Sequence, residues 1–371
     1  MMLTSDNRNV KKINYLSYIR AIACIAIIVL HTVNSALILY EDGITEVQSI
    51  VSRSVVYCMM FAVPVFVMVT GALLLQKEKQ ITLKLVFRKY ILRVFLALLI
   101  FSVLFSLFDT VMNKDGAGAG FLLRGLWNTL TGRGWAHMWY LYLLIGLYLM
   151  LIFYRAAANH VSEKEYRYLL LVYTIFLSVL PILDIWNVKV GFYIHTATIY
   201  PFYLFAGYAI VKGKIKIQNW LCVLLMVIGI AGLIASGVWN KVDLRVSYSN
   251  LLSYSSIFVL LLSTGLFSLF KNNFADKLKI TKKAIDHRTT VFEEKKPNVV
   301  GRVLLELDRC SFGVYLIHMI FLRLVLRYWQ INPFTFGSPV LIFAGIVIAV
   351  LLVSYGVTFL LKLIPGVRRI L

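Results

Sequence analysis

Acidic residues are scarce in this chain of 371 residues. It holds 17 aspartates and glutamates against 38 lysines and arginines, and charged residues make up only 15% of the sequence, against about a quarter in soluble proteins. Asp109 and Asp184 lie near the outer ends of predicted membrane spans, and we place the other carboxylates in loops. A carrier coupled through buried carboxylates, or a two-carboxylate glycosidase, would therefore lack its essential groups.

Cysteine is equally scarce. Three of the four cysteines fall within predicted spans and Cys310 lies at the start of the ninth, with no C-x-x-C motif. Neither a disulfide framework nor a zinc site is implied, and we expect no metal ion. No repeat relates the two halves of the chain, whereas many transporters are built from repeated halves.

Long apolar runs are abundant. Hydrophobic residues occupy 60% of the positions. Segments suited to spans of roughly 20 residues lie at about 15–39, 54–75, 93–112, 138–154, 168–186, 198–211, 219–239, 251–270, 311–329 and 339–364, of which the fourth and sixth are short. The sequence predicts an all-α polytopic integral membrane protein with about ten transmembrane helices. We expect one membrane domain over residues 1–371, in contact with lipid, with a charged cytoplasmic connection at 271–310.

Basic residues are distributed unevenly between the loops. If the N-terminus is cytoplasmic, 28 lysines and arginines fall in cytoplasmic segments and nine in outer loops, with Arg20 inside the first span. Because translocation disfavours basic loops, both termini are predicted to be cytoplasmic in a multi-pass protein of the plasma membrane. Insertion and anionic lipid explain the net charge of +21, so we expect no nucleic-acid binding.

The first predicted span carries two ionisable residues on one face. Arg20 and His31 are eleven residues apart, close to three helical turns, which separates them by roughly 16 Å along the axis. Ionisable groups inside a membrane are costly and rarely kept for packing alone. With Asn34 one turn beyond His31, this stripe is predicted to be one wall of a site.

Histidine is the residue left for proton transfer within the membrane. His137 opens the fourth span, and His318 shares a face of the ninth span with Tyr315. Structural roles stay open for both, because His318 would also suit an interhelical hydrogen bond and His137 lies where the membrane interface tolerates a histidine.

A basic cluster formed by Arg88, Lys89 and Arg93 stands at the cytoplasmic start of the third span. Guanidinium groups fork onto phosphate oxygens, so the cluster fits the nucleotide end of a cytosolic phosphorylated donor. Ordinary anchoring of a cytoplasmic loop would explain the same residues.

Four segments together resemble the acyltransferase-3 superfamily of integral membrane, acyl-CoA-dependent acyltransferases. They are Tyr18-Ile-Arg20 with His31, the run from Phe87 to Val94, the run from His137 to Tyr148, and the run from Ser311 to His318. They follow the family's order over nearly the whole chain. One departure is Tyr90, which stands where the family's basic motif usually has its first arginine, and no proline follows it.

The resemblance implies transfer of an acetyl or succinyl group from acetyl-CoA, or another acyl-CoA, to a hydroxyl of a cell-surface or lipid-linked carbohydrate. His31 would be the general base, with a transient acyl-histidine less favoured, and Arg20 would hold an anionic part of the donor or stabilise the thioester oxygen. Arg88, Lys89 and Arg93 would guide the CoA phosphates. The substrate pocket would be lined by Asn34, His137, Trp139, Tyr315 and His318.

Two other classes of function remain open. A carrier or flippase for a lipid-linked sugar or exopolysaccharide is the main alternative, since ten spans and a polar stripe fit a pathway as well as a pocket. An exopolysaccharide-assembly subunit without chemistry of its own is another. Consumption of acyl-CoA by the purified protein separates the enzyme from both.

Overall fold

The computed structural model describes residues 14–113, 120–186, 198–242, 249–275, 282–285, 289–292, 298–335 and 337–371. Its helices are α1 (Asn14–Tyr40), α2 (Glu46–Met59), α3 (Ala62–Leu74), α4 (Leu83–Met112), α5 (Gly120–Leu130), α6 (Ala136–Leu149), α7 (Leu151–His160), α8 (Glu163–Leu183), α9 (Tyr200–Val211), α10 (Asn219–Val242), α11 (Ile257–Ala275), α12 (Val299–Tyr328), α13 (Pro339–Leu361) and α14 (Pro365–Arg368). Two short strands, β1 (Lys282–Ile285) and β2 (Thr289–Phe292), pair antiparallel between α11 and α12.

Eight helical segments in the described part of the chain are long and apolar enough to cross a membrane, with α2 and α3 counted together. A further apolar pair, α6 and α7, is bent by 57°, and α9 is a shorter apolar helix. These ten elements coincide with the ten predicted spans, and the two short predicted spans are the bent pair and α9. The all-α polytopic class is confirmed, while the orientation of the termini stays a prediction.

The start of α12 differs from the sequence-based boundary. The ninth span was expected at residue 311, with residues 271–310 as a connection, yet the helix begins at Val299, after Asn298 caps it by accepting a hydrogen bond from the Gly301 amide. Charged residues between 302 and 309 lower the local hydropathy, and this moved the predicted boundary inward. As a consequence Asp308, assigned to a loop from the sequence, lies on a helix that is long and apolar enough to cross a membrane.

Helix α9 is short, and it is held in the bundle by close packing against α3. A Cβ atom on Gly71 of α3 would lie 1.8 Å from the Leu204 carbonyl oxygen, and one on Gly207 of α9 would lie 2.1 Å from the Met68 carbonyl oxygen. The two helices therefore approach each other through reciprocal glycines, a common way of packing helices in membranes. Residues 201–210 of α9 are all buried.

Helix α1 is central to the bundle, because it packs against α2, α3, α12 and α13. Its apolar residues Ile19, Ala23 and Ile27 are buried in the main core. Helix α1 is therefore largely surrounded by other helices of the bundle.

Candidate active site

Helices α1 and α12 lie side by side and run in the same direction. Arg20 near the start of α1 contacts Asp308 in the first half of α12, and His31 further along α1 contacts His318 further along α12. The polar stripe predicted on the first span is thus matched by a second stripe on α12. The two ionisable residues of α1, Arg20 and His31, each find a partner on α12.

The contact between Arg20 and Asp308 is a bidentate ion pair. Nε of Arg20 donates to Oδ1 at 2.5 Å and Nη2 donates to Oδ2 at 2.6 Å, the fork geometry in which guanidinium binds carboxylate best. The Asp308 side chain is 6% exposed and that of Arg20 is 33% exposed. One edge of the guanidinium is therefore committed to Asp308, while the Nη1 edge points away from it.

Three histidines from three helices meet further along the same helix pair. His31 Nδ1 lies 2.7 Å from His318 Nε2. The ring of His137, in the turn that opens α6, has its centroid 5.5 Å from that of His318 and 6.2 Å from that of His31. His137 and His318 are buried and His31 is partly buried. Within the described ranges no group of His, Cys, Asp or Glu has an arrangement suited to a metal ion.

Tyr315 lies between the histidine cluster and a cavity that Arg20 also lines. Its hydroxyl donates to the backbone carbonyl of His137, and its ring centroid is 5.8 Å from the His137 ring and 6.0 Å from the His318 ring. Tyr140 packs edge-on against it at 5.8 Å. Together the two tyrosines form a layer next to the histidine cluster.

A cavity of about 540 Å³ lies on the other side of this tyrosine layer, where Arg20 meets Asp308. We call it the basic cavity. Besides Arg20 it is lined by five cationic side chains, those of Lys79, Lys89, Arg93, Arg309 and Lys362. All five belong to segments that the sequence predicts to be cytoplasmic. Its volume is within the usual range for small-molecule sites.

The surroundings of Lys79 in the basic cavity lower its pKa. Lys79 lies between α3 and α4, and its ammonium group is 5.9 Å from the centroid of the Tyr90 ring. Burial lowers the pKa of Lys79 below its usual value, and the nearby positive charges of Lys89 and Arg155 lower this pKa further. An anion bound here would relieve that repulsion.

The family model Acyl_transf_3, described as an acyltransferase domain, matches residues 13–359, nearly the whole chain. The chain belongs to this family. No curated protein and no solved structure matches it. The polytopic helical fold and the family together make it an acyltransferase-3 membrane protein.

The three residues predicted to bind the acyl donor of this acyltransferase-3 protein do not all line the basic cavity. All three are exposed, but Lys89 and Arg93 line the basic cavity and Arg88 does not. All three follow or lie in a π-helical turn at Val86–Ile91, which widens the helix at this point, a feature often found at functional sites. Arg93 also donates to the backbone carbonyls of Ile370 and Leu371, both at 2.8 Å, so it holds the chain end beside the cavity.

Two predicted pocket residues lie away from the basic cavity. Asn34 is partly buried on α1 beyond His31 and is not among the lining residues. Trp139 packs with its ring centroid 5.4 Å from that of Tyr254 and 5.9 Å from that of Tyr200. Tyr315 is the predicted pocket residue that does line the cavity, and His137 and His318 lie directly behind it.

A second polar cluster lies at the end of the site opposite to the basic cavity. Asp109 accepts hydrogen bonds from the indole of Trp135 at 2.8 Å and from Arg323 at 2.7 Å. The Arg323 guanidinium stacks over Trp135, 3.7 Å from the ring centroid. Trp135 stands two residues before His137, so this cluster fixes the start of α6 on the predicted outer side.

Sequence reasoning missed several residues that line the basic cavity. They include Lys79, Tyr140, Tyr148, Asp308, Arg309 and Lys362. One signal was available for Asp308, because it precedes His318 by ten residues, nearly the spacing of Arg20 and His31. No comparable pattern marks the three added cations, since they come from separate segments.

Proposed function

We propose that this protein transfers an acetyl or succinyl group from cytosolic acyl-CoA to a hydroxyl group of a cell-surface or lipid-linked carbohydrate at the plasma membrane. The observation that carries the proposal is the position of the basic cavity, one layer of side chains away from three clustered histidines. Lysine and arginine side chains at the cavity suit the phosphates of a nucleotide-containing donor. The tyrosine layer is then the point where the acyl arm passes toward the histidines.

The position of Arg20 on α1 favours one of the two roles considered for it. Eleven residues at about 1.5 Å each separate Arg20 from His31 by roughly 16 Å. Because Asp308 also holds the Arg20 guanidinium at its own level of the bundle, a thioester beside His31 is too far away for Arg20 to contact. Arg20 therefore contacts a part of the donor remote from the acyl group, through the guanidinium edge that Asp308 leaves open.

His31 is the base in the proposed reaction. It takes the proton of the acceptor hydroxyl as the hydroxyl oxygen attacks the thioester carbonyl carbon. The carbon–sulfur bond breaks, CoA leaves as a thiolate, and the proton passes from His31 to the sulfur. General base catalysis of this kind contributes about 10²–10⁴-fold. Because the basic cavity occupies the donor side, the acceptor arrives from the opposite side of the histidine cluster.

Sealed vesicles of known orientation test the donor, the acyl transfer and the sidedness together. Inverted membrane vesicles from cells that express the chain are given radiolabelled acetyl-CoA or succinyl-CoA in the outer solution, which contacts the cytoplasmic face. We expect label to enter the lipid-linked or polysaccharide fraction, with release of one free CoA thiol per acyl group. Vesicles carrying His31→Ala serve as the matched control and should show neither.

The same experiment has outcomes that overturn the proposal. Transfer that occurs only when acyl-CoA is on the extracytoplasmic face would contradict the donor side. Movement of a sugar lipid without consumption of acyl-CoA would indicate a carrier. Mass spectrometry of surface glycans from a deletion strain then names the acceptor, through loss of one acetyl or succinyl unit.

A further inference from the structure

The hydrogen bonds of His318 determine which of its nitrogens carries the proton. Its Nδ1 lies 2.7 Å from the Tyr315 carbonyl oxygen and 3.2 Å from the Val314 carbonyl oxygen. Backbone carbonyls only accept hydrogen bonds. Nδ1 of His318 must therefore be protonated and donate, and in the neutral ring Nε2 is left with a free lone pair.

That assignment propagates to His31. His318 Nε2 is 2.7 Å from His31 Nδ1, a hydrogen-bond distance at which two lone pairs would repel. The alternative in which His318 donates from both nitrogens requires a positive charge on a fully buried ring, which is costly in an apolar span. His31 Nδ1 thus carries the proton and donates to His318, which leaves Nε2 of His31 as its basic atom.

The orientation of the two rings suits this bond. Their planes differ by only 8° and their centroids are 5.0 Å apart, close to the greatest separation that a contact of 2.7 Å between ring nitrogens permits. The rings therefore lie nearly end to end, so the N–H of His31 points along the line to the acceptor nitrogen, the favoured geometry for a hydrogen bond.

We infer that His318 is a positioning residue that holds His31 in its Nδ1–H tautomer and aims Nε2 of His31 at the acceptor hydroxyl. The tautomer follows from the hydrogen bonds alone, whereas its use in proton transfer rests on the proposed function. When Nε2 takes the proton, the Nδ1–H bond to His318 remains and stabilises the imidazolium. The proton leaves again from Nε2 to the thiolate, and His318 neither gains nor loses a proton.

Histidine suits this position better than a carboxylate does. In serine hydrolases an aspartate holds the catalytic histidine in the correct tautomer. In the middle of a membrane span an aspartate would add a buried negative charge while the enzyme waits for substrate. A histidine whose own Nδ1–H is bound to the backbone of α12 provides an acceptor nitrogen without any charge.

The tautomer can be measured independently of activity. The full chain is labelled with ¹⁵N-histidine, reconstituted in lipid, and studied by solid-state NMR, which distinguishes protonated from unprotonated ring nitrogens; His31 and His318 signals are assigned by their loss in H31Q and H318Q. We expect both rings to carry their proton on Nδ1. A wild-type His31 with its proton on Nε2 would overturn the inference.

Variants at position 318 connect the tautomer to turnover. His318→Leu removes the acceptor, so we expect His31 to lose its single tautomer and kcat to fall about 100-fold with little change in KM for acetyl-CoA. His318→Gln places an amide oxygen near the former Nε2, and we expect it to restore the Nδ1–H tautomer and much of kcat. His160→Gln, which replaces an exposed histidine at the end of α7, is the control and should change neither.

The two proposals fail in distinguishable ways. If His31 is held as Nδ1–H but no variant or wild type transfers an acyl group, the proposed function is wrong and the tautomer assignment stands. If acyl transfer needs His31 yet His318→Leu keeps both the tautomer and kcat, His318 has no positioning role and the proposed function stands.

Discussion

The two polar contacts between α1 and α12 offset the cost of polar groups inside the helix bundle in different ways. Arg20 and Asp308 bear full charges and meet beside the basic cavity, where a third of the Arg20 side chain is exposed. His31 and His318 meet deeper in the bundle and their hydrogen bond needs no net charge. Charge is thus kept where solvent reaches, and neutral donors and acceptors are used where the surroundings are apolar.

This difference predicts different sensitivities. The ion pair is held by electrostatic attraction, so the effect of a substitution there depends on how many charges it leaves unpaired. The histidine pair depends on which nitrogen carries a proton, so the effect of a substitution there depends on whether the new side chain donates or accepts a hydrogen bond. Substitutions at the two contacts should therefore affect different quantities, stability and use of the donor at the first and turnover without loss of donor affinity at the second.

The largest effect is expected for His31→Ala. Removal of the base should lower acyl transfer by about 10²–10⁴-fold, while expression and membrane insertion stay near wild type because the partly buried ring is not central to the apolar core. The measurement is the rate of CoA thiol release in detergent, alongside the elution profile of the protein. Near wild-type turnover would remove His31 from the mechanism.

The second largest effect concerns stability and is expected for Asp308→Leu. Removing one partner leaves the Arg20 charge uncompensated, at a cost of about 3 kcal/mol, the lower end for buried pairs because Arg20 is partly exposed. Thermal unfolding in detergent should show a lower midpoint. The double variant Arg20→Met, Asp308→Leu should recover most of the lost stability, since replacing both charges with apolar groups removes the penalty.

The double variant also separates structure from function at this contact. If the ion pair is only structural, recovery of stability should restore acyl transfer. We expect activity to stay low, since the donor contact of Arg20 is absent. A stable and fully active double variant would exclude Arg20 from donor binding.

A smaller effect is expected for Arg20→Lys. Lysine keeps the charge but loses the planar fork that binds Asp308 through two parallel bonds. The apparent KM for acetyl-CoA should rise and the rate should fall, each by about tenfold if one charge-assisted hydrogen bond is lost. Titrations of acetyl-CoA that give the same KM and rate for both proteins would show that position 20 needs a positive charge and no more.

Much of the fold could be predicted from the sequence because hydropathy is the main determinant of this fold. All ten predicted spans have a helical counterpart, and the three histidines singled out from the sequence are brought together. Long apolar runs leave few alternatives in a membrane, where helices satisfy the backbone internally. The shared face of Arg20 and His31 follows directly from helical periodicity.

The rest of the site depends on tertiary contacts that no local pattern encodes. Asp308 was assigned to a loop, since nearby charges hid the first turns of α12. Trp139, a pocket residue by the family resemblance, packs its ring with Tyr200 and Tyr254 and does not line the basic cavity. Lys79 comes from the connection between α3 and α4, and only the fold brings it beside Lys89. The spacing of residues in the sequence does not predict a charge cluster whose members come from separate segments.

Lys89 and Arg88 offer a matched pair of adjacent charges with different positions. Lys89 lines the basic cavity and Arg88 does not. Lys89→Gln should raise the KM for acetyl-CoA by up to about tenfold, the loss of one charged hydrogen bond, with little effect on the acceptor KM. Arg88→Gln should leave both unchanged. Equal effects of the two substitutions would indicate general surface attraction and no specific donor contact.

The smallest effect is a pH dependence at Lys79. Because burial, and then Lys89 and Arg155, lower the pKa of Lys79 in the free protein, bound donor phosphates should raise it again by favouring the charged form. Affinity for CoA should therefore weaken as pH rises through the lowered pKa toward the ordinary value for lysine, and binding in that interval should take up protons. Calorimetry of CoA binding in buffers of different ionisation enthalpy measures this uptake directly.

Two variants test whether Lys79 is the group that takes up the proton. Lys79→Gln should abolish the part of the uptake that is due to Lys79 and should bind CoA more weakly below this pH interval, whereas Lys79→Met tests whether the amide itself contributes. Proton uptake that is unchanged in Lys79→Gln would place the donor phosphates away from Lys79.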